Sequence, residues 1–341
     1  MEILNKEHRL CACCMEEHEV MTVRFLDKTI FKDEEVEFDA ISEYCELADE
    51  YVESNDMISK NDIAMKNAYR KKVGLLTSDD ICSIRLKYGI SQTDLALLLG
   101  WGGKTITRYE GHQVQDIAHD TILKKLDSDP EWFLALLKEA RNKLSPDSYK
   151  KYYETATQLF EHEQDQYLRK AILAQYAKYN TANNCNGGIA LNLDKVIDAI
   201  SYFANSFKVN ALYKVKLMKM LWYADALSYK RSGIAMTGLV YRALPMGAVP
   251  IAHESIIDLK GISYEEIDFG DGTGYRFTPS AHKNYSTLST FEIEVLDKII
   301  NTFGPYTKTE IVDQMHKEVA YIETAPKDII QFKYAKELSI S

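Results

Sequence analysis

No apolar run in this chain approaches the roughly 18–20 residues that a membrane-spanning helix requires. The longest candidate, LALLLGW, is far too short. The first residues, MEILNKEHRLCACC, lack the apolar stretch of a secretory leader, so a cytoplasmic protein is expected. Nucleotide and protease signatures are missing as well: there is no P-loop, no glycine fingerprint following a strand, and no HExxH. His316 and Glu318 have the H-x-E spacing of zinc deaminases, but no cysteine pair follows them, which removes the metal that chemistry needs. The remaining histidines are scattered, and a lone His253 or His316 reads as a hydrogen-bonded structural residue. GDGTG at 270–274 reads as a turn between strands, without the ligands of an EF-hand. No catalytic residues are expected.

What is present suits a folded, multi-unit protein. At 341 residues, with 46% hydrophobic and 27% charged side chains, the chain has ample core for two to three units. Its net charge of −10 is unevenly spread. Residues 1–65 carry 6 Lys+Arg against 18 Asp+Glu, whereas residues 66–112 carry 8 against 4. This basic island, which includes Arg70, Lys71 and Lys72, is the electrostatic footprint expected of a DNA surface. The acidic N-terminal segment would be repelled by phosphate and reads as a protein-facing or solvated region. Six cysteines in a cytoplasmic chain argue against a disulfide framework. Cys82, on the apolar side of a helix over 78–88, and Cys185, in a polar loop, read as structural.

The basic island contains SQTDLALLLGWGGKTITRYEG, residues 91–111. Ser91 is a natural N-cap, and Leu95, Ala96, Leu98 and Leu99 form the inner face of a helix opened by Gln92. Gly100, Gly102 and Gly103 break it around Trp101. In the helix that follows, Ile106 and Tyr109 can face the first helix while Lys104, Thr105, Thr107 and Arg108 face outward. Small hydroxyls with Lys and Arg are the side chains that read base edges and grip phosphates. The plainer alternative is a helical hairpin with a solvated charged face. The segment is similar to the XRE-type helix-turn-helix, and more closely to the version in MqsA-like (YgiT-type) antitoxins. That likeness extends from AYRKKVGLLTSDDICSIRLKYG (68–89) through QVQDIAHDTILKKL (113–126). It implies a homodimer that places its helices in the major groove of a palindromic operator and represses its own operon. Gln92, Lys104, Thr105 and Arg108 match the DNA-facing positions, and Ser91 and Thr107 complete the candidate set. The Gly102–Gly103 pair leaves fewer side chains than usual at the start of the recognition helix.

Upstream, MTVRFLDKTIFKDEEVEF (21–38) alternates apolar and polar residues on either side of an acidic turn, predicting short strands, with a helix from about Ile41. With Cys11-x-x-Cys14 before it and Cys45 after it, the module over 1–65 resembles the zinc ribbon of MqsA-like proteins. A closed structural zinc site needs four N or S ligands. Here Cys45 is followed three residues later by Ala48, so the second CxxC pair is broken. Cys11, Cys14 and Cys45 are the candidate ligands, and Cys13, His8 and His18 the candidate substitutes for the fourth. A metal-free, degenerate ribbon is the expected reading, with a retained structural zinc as the alternative.

Downstream, helices over 77–88, 91–99, 104–110, 116–126 and 131–143 make a five-helix unit spanning 66–143, the last opened by Asp129 and Pro130. A long helix from Pro146 to about Tyr179 leads into NTANNCNGG, which reads as a linker, so that 144–188 is expected to connect two halves. In the half over 189–341, LNLDKVIDAISYFANSF (191–207) buries Val196, Ile197, Ile200 and Phe203. In the next helix, over 212–231, Leu217, Met218, Leu221 and Trp222 face inward with the lysines outward. A strand near 239–242, a tight turn over 246–250, a helix from about Ile251, strands near 264–269 and 275–277, and helices over 290–303 and 308–318 complete it. This half resembles the Panacea (SocA-like) domain through KLMKMLWYADALSYKRSG, MTGLVYRALPMGAVP and MHKEVAYIET, with Gly247-Ala248-Val249-Pro250 where that family has GPVP. The resemblance implies direct neutralisation of a small protein toxin. Lys216, Lys219, Tyr223, Met246, Gly247, Val249 and Pro250 are the candidate toxin contacts, against the alternative that such lysines are a solvated face. The fold class expected overall is mainly α with small β elements (α+β). The function expected is that of an operator-binding antitoxin, with no membrane partner. The alternative is a stand-alone regulator of a prophage or mobile element, or a proteolytic adaptor, whose C-terminal half binds another protein.

Overall fold

The computed structural model of the chain describes residues 1–270, 272–281 and 284–341; Asp271, within the turn expected at 270–274, lies outside the described residues. The chain divides into two units, Met1–His162 and Glu163–Ser341. Helices dominate and the strands form small antiparallel sheets, as the sequence leads one to expect.

Unit 1 opens with a meander of four strands, β1 (Glu2–Leu10), β2 (Glu17–Phe31), β3 (Glu34–Cys45) and β4 (Glu50–Val52). Lys32 and Asp33, at φ +50° and +64°, form the two-residue turn between β2 and β3. Left-handed backbone at both central positions is what a type I′ hairpin requires. The helix expected from about Ile41 is not there. Strand pairing continues through Ile41, opposite Arg24, to Tyr44, and the period-two burial of Val36, Ala40 and Ser42 shows why. The first helix, α1 (Asn55–Lys72), starts instead behind the N-cap Ser54 and packs on β3. Because β4 pairs only with residues 43–45, Ile41 would lack an outer partner. The Asn61 carboxamide supplies one, accepting from the Ile41 amide (2.8 Å) and donating to its carbonyl (2.9 Å).

The five expected helices follow as α2 (Ser78–Lys87), α3 (Gln92–Leu98), α4 (Thr105–Tyr109), α5 (Ile117–Ser128) and α6 (Pro130–Glu139). Thr77, Ser91, Asp116 and Asp129 each accept a backbone N–H at their helix N-termini. α3 ends in a Schellman motif: Trp101 N–H reaches the Ala96 carbonyl and Gly100 N–H that of Leu97, with Gly100 at φ +71°. Ile81, Tyr88, Leu95, Ile106, Leu123 and Phe133 form the core, which the start of α7 (Pro146–Tyr176) joins through Tyr152 and Ala156.

Unit 2 is organised around one buried helix. α9 (Lys214–Ser232) is covered by α8 (Leu193–Asn205), α11 (Thr290–Phe303), α12 (Lys308–His316) and two small hairpins, β5–β6 (Tyr241–Leu244 and Gly247–Pro250) and β7–β8 (Tyr264–Asp268 and Thr273–Phe277). Every residue from Lys216 to Ser228 is buried. Two one-turn helices, α10 (His253–Ile256) and α13 (Val319–Ile322), complete the set. The turn expected over 246–250 is a strand: Leu244 pairs with Gly247, so only Pro245 and Met246 turn the chain. The segment expected as a linker is also built structure. The buried Asn186 side chain donates to the Tyr179 and Thr181 carbonyls and accepts from the Asn183 amide, so these asparagines organise a tight loop.

Candidate functional site

At the mouth of the first sheet, the ligand atoms of Cys11, Cys14, His18 and Cys45 all lie within 4.8 Å of one another. Cys45 Sγ and His18 Nε2 are 3.6 Å apart. Donors around a tetrahedral zinc with bonds of about 2.0–2.3 Å would be roughly 3.3–3.8 Å apart. His18 Nδ1 lies 2.8 Å from the Glu19 carbonyl. Donation there fixes the tautomer and leaves the Nε2 lone pair for a metal, the orienting contact that ligating histidines have. The amide N–H of Cys14, with a smaller share from Cys13, holds the Cys11 thiol down at about 6. Cys13 itself stays outside the set: its thiol donates to Glu50, and burial with that carboxylate pushes it up to about 11. The four donors fit a closed Cys₃His site, so Ala48 does not leave the ligand set one short. His18, not a second CxxC, is the fourth donor of a set that could hold a metal. The signal in the sequence was His18 four residues beyond Cys14, on the strand that pairs with the one ending at Cys45.

The outer surface of the helix-turn-helix is divided between residues that hold the motif together and residues that do not. Ser91 caps α3 through a 3.0 Å bond from Asp94 N–H. Gln92 donates to Glu110 and accepts from Thr107, and Glu110 is clamped in turn by Arg85. Thr105 is half-buried. Lys104 and Arg108 are exposed and, among the described residues, have no hydrogen-bond or ion-pair partner. The basic run before the motif behaves differently from the expected footprint. Arg70 is fully buried, donating to Gln115, Asn67 and the carbonyls of Tyr109 and Gln113, which pins the end of α4 to α1. Lys72 pairs with Glu34 at 3.0 Å. A guanidinium with four internal acceptors serves the fold, not a phosphate.

In unit 2 the outward lysines of the sequence reading face inward. Lys216 and Lys219 are each 1% exposed and Tyr223 is fully buried, because α9 has neighbours on every side. Lys216 Nζ donates to the carbonyls of Asn210 (2.8 Å) and Gly304 (2.7 Å). Tyr223 donates to the buried Glu318 carboxylate at 3.0 Å. Gly247 and Pro250 are buried as well, Val249 is half-buried, and of the seven candidates Met246 alone is exposed. Sequence reasoning passed over Asp225, which is completely buried and accepts from the amides of Met236 and Thr237 and the hydroxyls of Thr237 and Tyr241. It anchors the segment leading to β5 onto α9. Burial raises its carboxyl to about 6, against those four donors. Beside α9 and the β5–β6 hairpin lies a cavity of about 1100 Å³, with Lys216, Lys219, Met246 and Val249 in its lining.

A mainly helical unit with two small hairpins around a buried helix is thus joined in one chain to a helix-turn-helix unit. Residues 217–320 match the family described as "Antitoxin SocA-like, Panacea domain", which supports the resemblance seen in this half of the sequence. No curated protein and no solved structure matches the chain significantly. No helix among the described residues is long and apolar enough to cross a membrane.

Proposed function

We propose that this chain is an antitoxin that captures a small protein toxin through unit 2 and represses its own operon through the helix-turn-helix. The observation that carries the reading is the family match over 217–320, which lies wholly within unit 2. With Lys216, Lys219, Tyr223, Gly247 and Pro250 buried, toxin contact falls to Met246 and the half-buried Val249 on the β5–β6 hairpin. On the DNA side, the support is a pair of exposed cations without side-chain partners among the described residues, Lys104 at the N-cap of α4 and Arg108 within it. A homodimer presents two such helices to half-sites about one helical turn apart. Zinc in the Cys11–Cys14–His18–Cys45 set staples the N-terminal sheet, where buried apolar residues are few.

The experiment is co-expression of the full chain, and of its Lys104→Ala/Arg108→Ala form, with the small protein encoded beside it. Growth rescue and a stable complex from both forms, with operator binding lost only in the double variant, is the expected result. Failure of the wild-type chain to rescue or to bind that protein would overturn the antitoxin reading. It would leave a regulator whose C-terminal unit has another partner.

A further inference from the structure

We propose that the cavity of unit 2 is a binding site for a small aromatic anion, with the Lys219 ammonium as its charge partner and the aromatic side chains of the wall as its apolar cradle. At about 1100 Å³ the space is at the upper end of what organic ligands occupy, and far beyond the voids of a well-packed core. Lys216 and Lys219 are a turn apart on α9 and equally buried. The first is satisfied by two carbonyl oxygens; the second has no hydrogen-bond or ion-pair partner among the described residues. Its Nζ opens onto the cavity, so whatever fills that space, not the surrounding protein, must solvate the charge. Gly247 makes room for the amine, since a Cβ there would come within 2.9 Å of Lys219 Cε. His253 also lines the cavity and has a buried Nδ1 with no partner. Two unsatisfied polar groups thus border one open space.

The surroundings specify the sign and shape of what would satisfy them. Lys214 and Lys308 add positive charge, and no described residue of the lining is acidic. Glu310 acts on Lys216 and Glu254 on His253, while no acidic group among the described residues offsets the burial that brings Lys219 down to about 7. Tyr213 and Phe269 have ring centroids 5.9 Å apart, and Lys214 Nζ sits 5.0 Å above the Tyr275 ring. Cation and aromatic faces together suit a flat ring bearing a carboxylate, sulfonate or phosphate. A bare inorganic anion would leave most of the space empty.

The test uses the full chain and the fluorescent aromatic anion 8-anilinonaphthalene-1-sulfonate. One saturable site per chain is expected, displaced by naphthalene-2-carboxylate and at least tenfold less well by naphthalene-2-methanol or inorganic phosphate. Lys219→Met should weaken binding at least tenfold. Lys214→Glu, at a half-exposed position, should weaken it several-fold and decides the question if Lys219→Met does not fold. Wild-type affinity should fall as pH rises from 6 to 9 more steeply than that of Lys219→Met, the difference isolating Lys219 from Lys214, Lys216, Lys308 and His253. Binding unchanged in both variants, or equal displacement by the neutral alcohol or by phosphate alone, would overturn the proposal.

Discussion

The two units treat buried charge in opposite ways. In unit 1, Arg70 is buried with acceptors on four sides while Lys104 and Arg108 stand free in solvent. In unit 2, Asp225 is buried with four donors and Lys216 with two acceptors, but Lys219 is buried with none among the described residues. A buried charge with a full set of partners holds elements together. A charge without partners, in solvent or facing a cavity, is available to a ligand.

The largest expected difference between the units concerns metal. The cluster around Cys11, Val20 and Cys45 is small, whereas one continuous core fills unit 2. Structural zinc sites hold their metal with on the order of 10 kcal/mol, energy that becomes folding energy. Purified protein should contain one zinc per chain. Chelation or Cys45→Ser should abolish amide exchange protection in β1–β3 while leaving α8, α9 and α11 protected. Unchanged protection of β1–β3 after metal removal would favour the metal-free ribbon expected from the sequence.

Next come the two buried hubs. Arg70→Ala and Asp225→Ala should each destabilise their own unit by about 3–5 kcal/mol, since each strands several buried partners. Urea unfolding followed by exchange in each unit checks this. Equal loss in both units from either variant would mean that the hubs are not local.

The sequence already contained much of this arrangement. The helices of the helix-turn-helix unit were legible because their ends are marked by Thr77, Ser91, Asp116, Asp129 and Gly100, local signals that need no tertiary context. His18 was harder to assign, since only the pairing of β2 with β3 brings it to Cys45. The burial of Lys216 and Lys219 did have a signal. MLWYADAL (220–227) is apolar around nearly the whole circumference of a helix, which marks a central helix even when lysines punctuate it. Arg70 offered no such signal, because three of its four acceptors come from residues 109–115, distant in sequence.

A smaller effect is expected on the exposed side of the comparison. Arg108→Ala should leave stability within about 0.5 kcal/mol of wild type, since the side chain holds nothing. Operator affinity should fall by about 1–3 kcal/mol with relaxed preference at one base if the guanidinium reads a guanine. If it holds only phosphate, all sequences should weaken alike and the salt slope should drop by about one. Gel-shift titration at several salt concentrations distinguishes these outcomes, and unaltered affinity in the Lys104→Ala/Arg108→Ala protein would remove α4 from the DNA surface.

The finest test asks whether Lys219 is truly without a partner in the folded chain. Burial brings its ammonium down from 10.5 to about 7. Between those values the unfolded chain binds more protons than the folded one, so stability rises with pH across that window. Below pH 7 the buried ammonium is charged in both states and its penalty is constant; toward pH 10 the penalty vanishes as the amine becomes neutral. The contribution of one such group cannot exceed about 1.4 kcal/mol per pH unit. Lys216, lowered to about 8, contributes with the same sign, so the informative quantity is wild type minus Lys219→Met. That difference, from urea unfolding between pH 6.5 and 9.5, should climb in favour of wild type as pH increases. A saturating aromatic anion should flatten it, by giving the ammonium the partner that the fold withholds. A flat difference without any ligand would mean that Lys219 is already paired, and the distinction between the two buried lysines of α9 would fall.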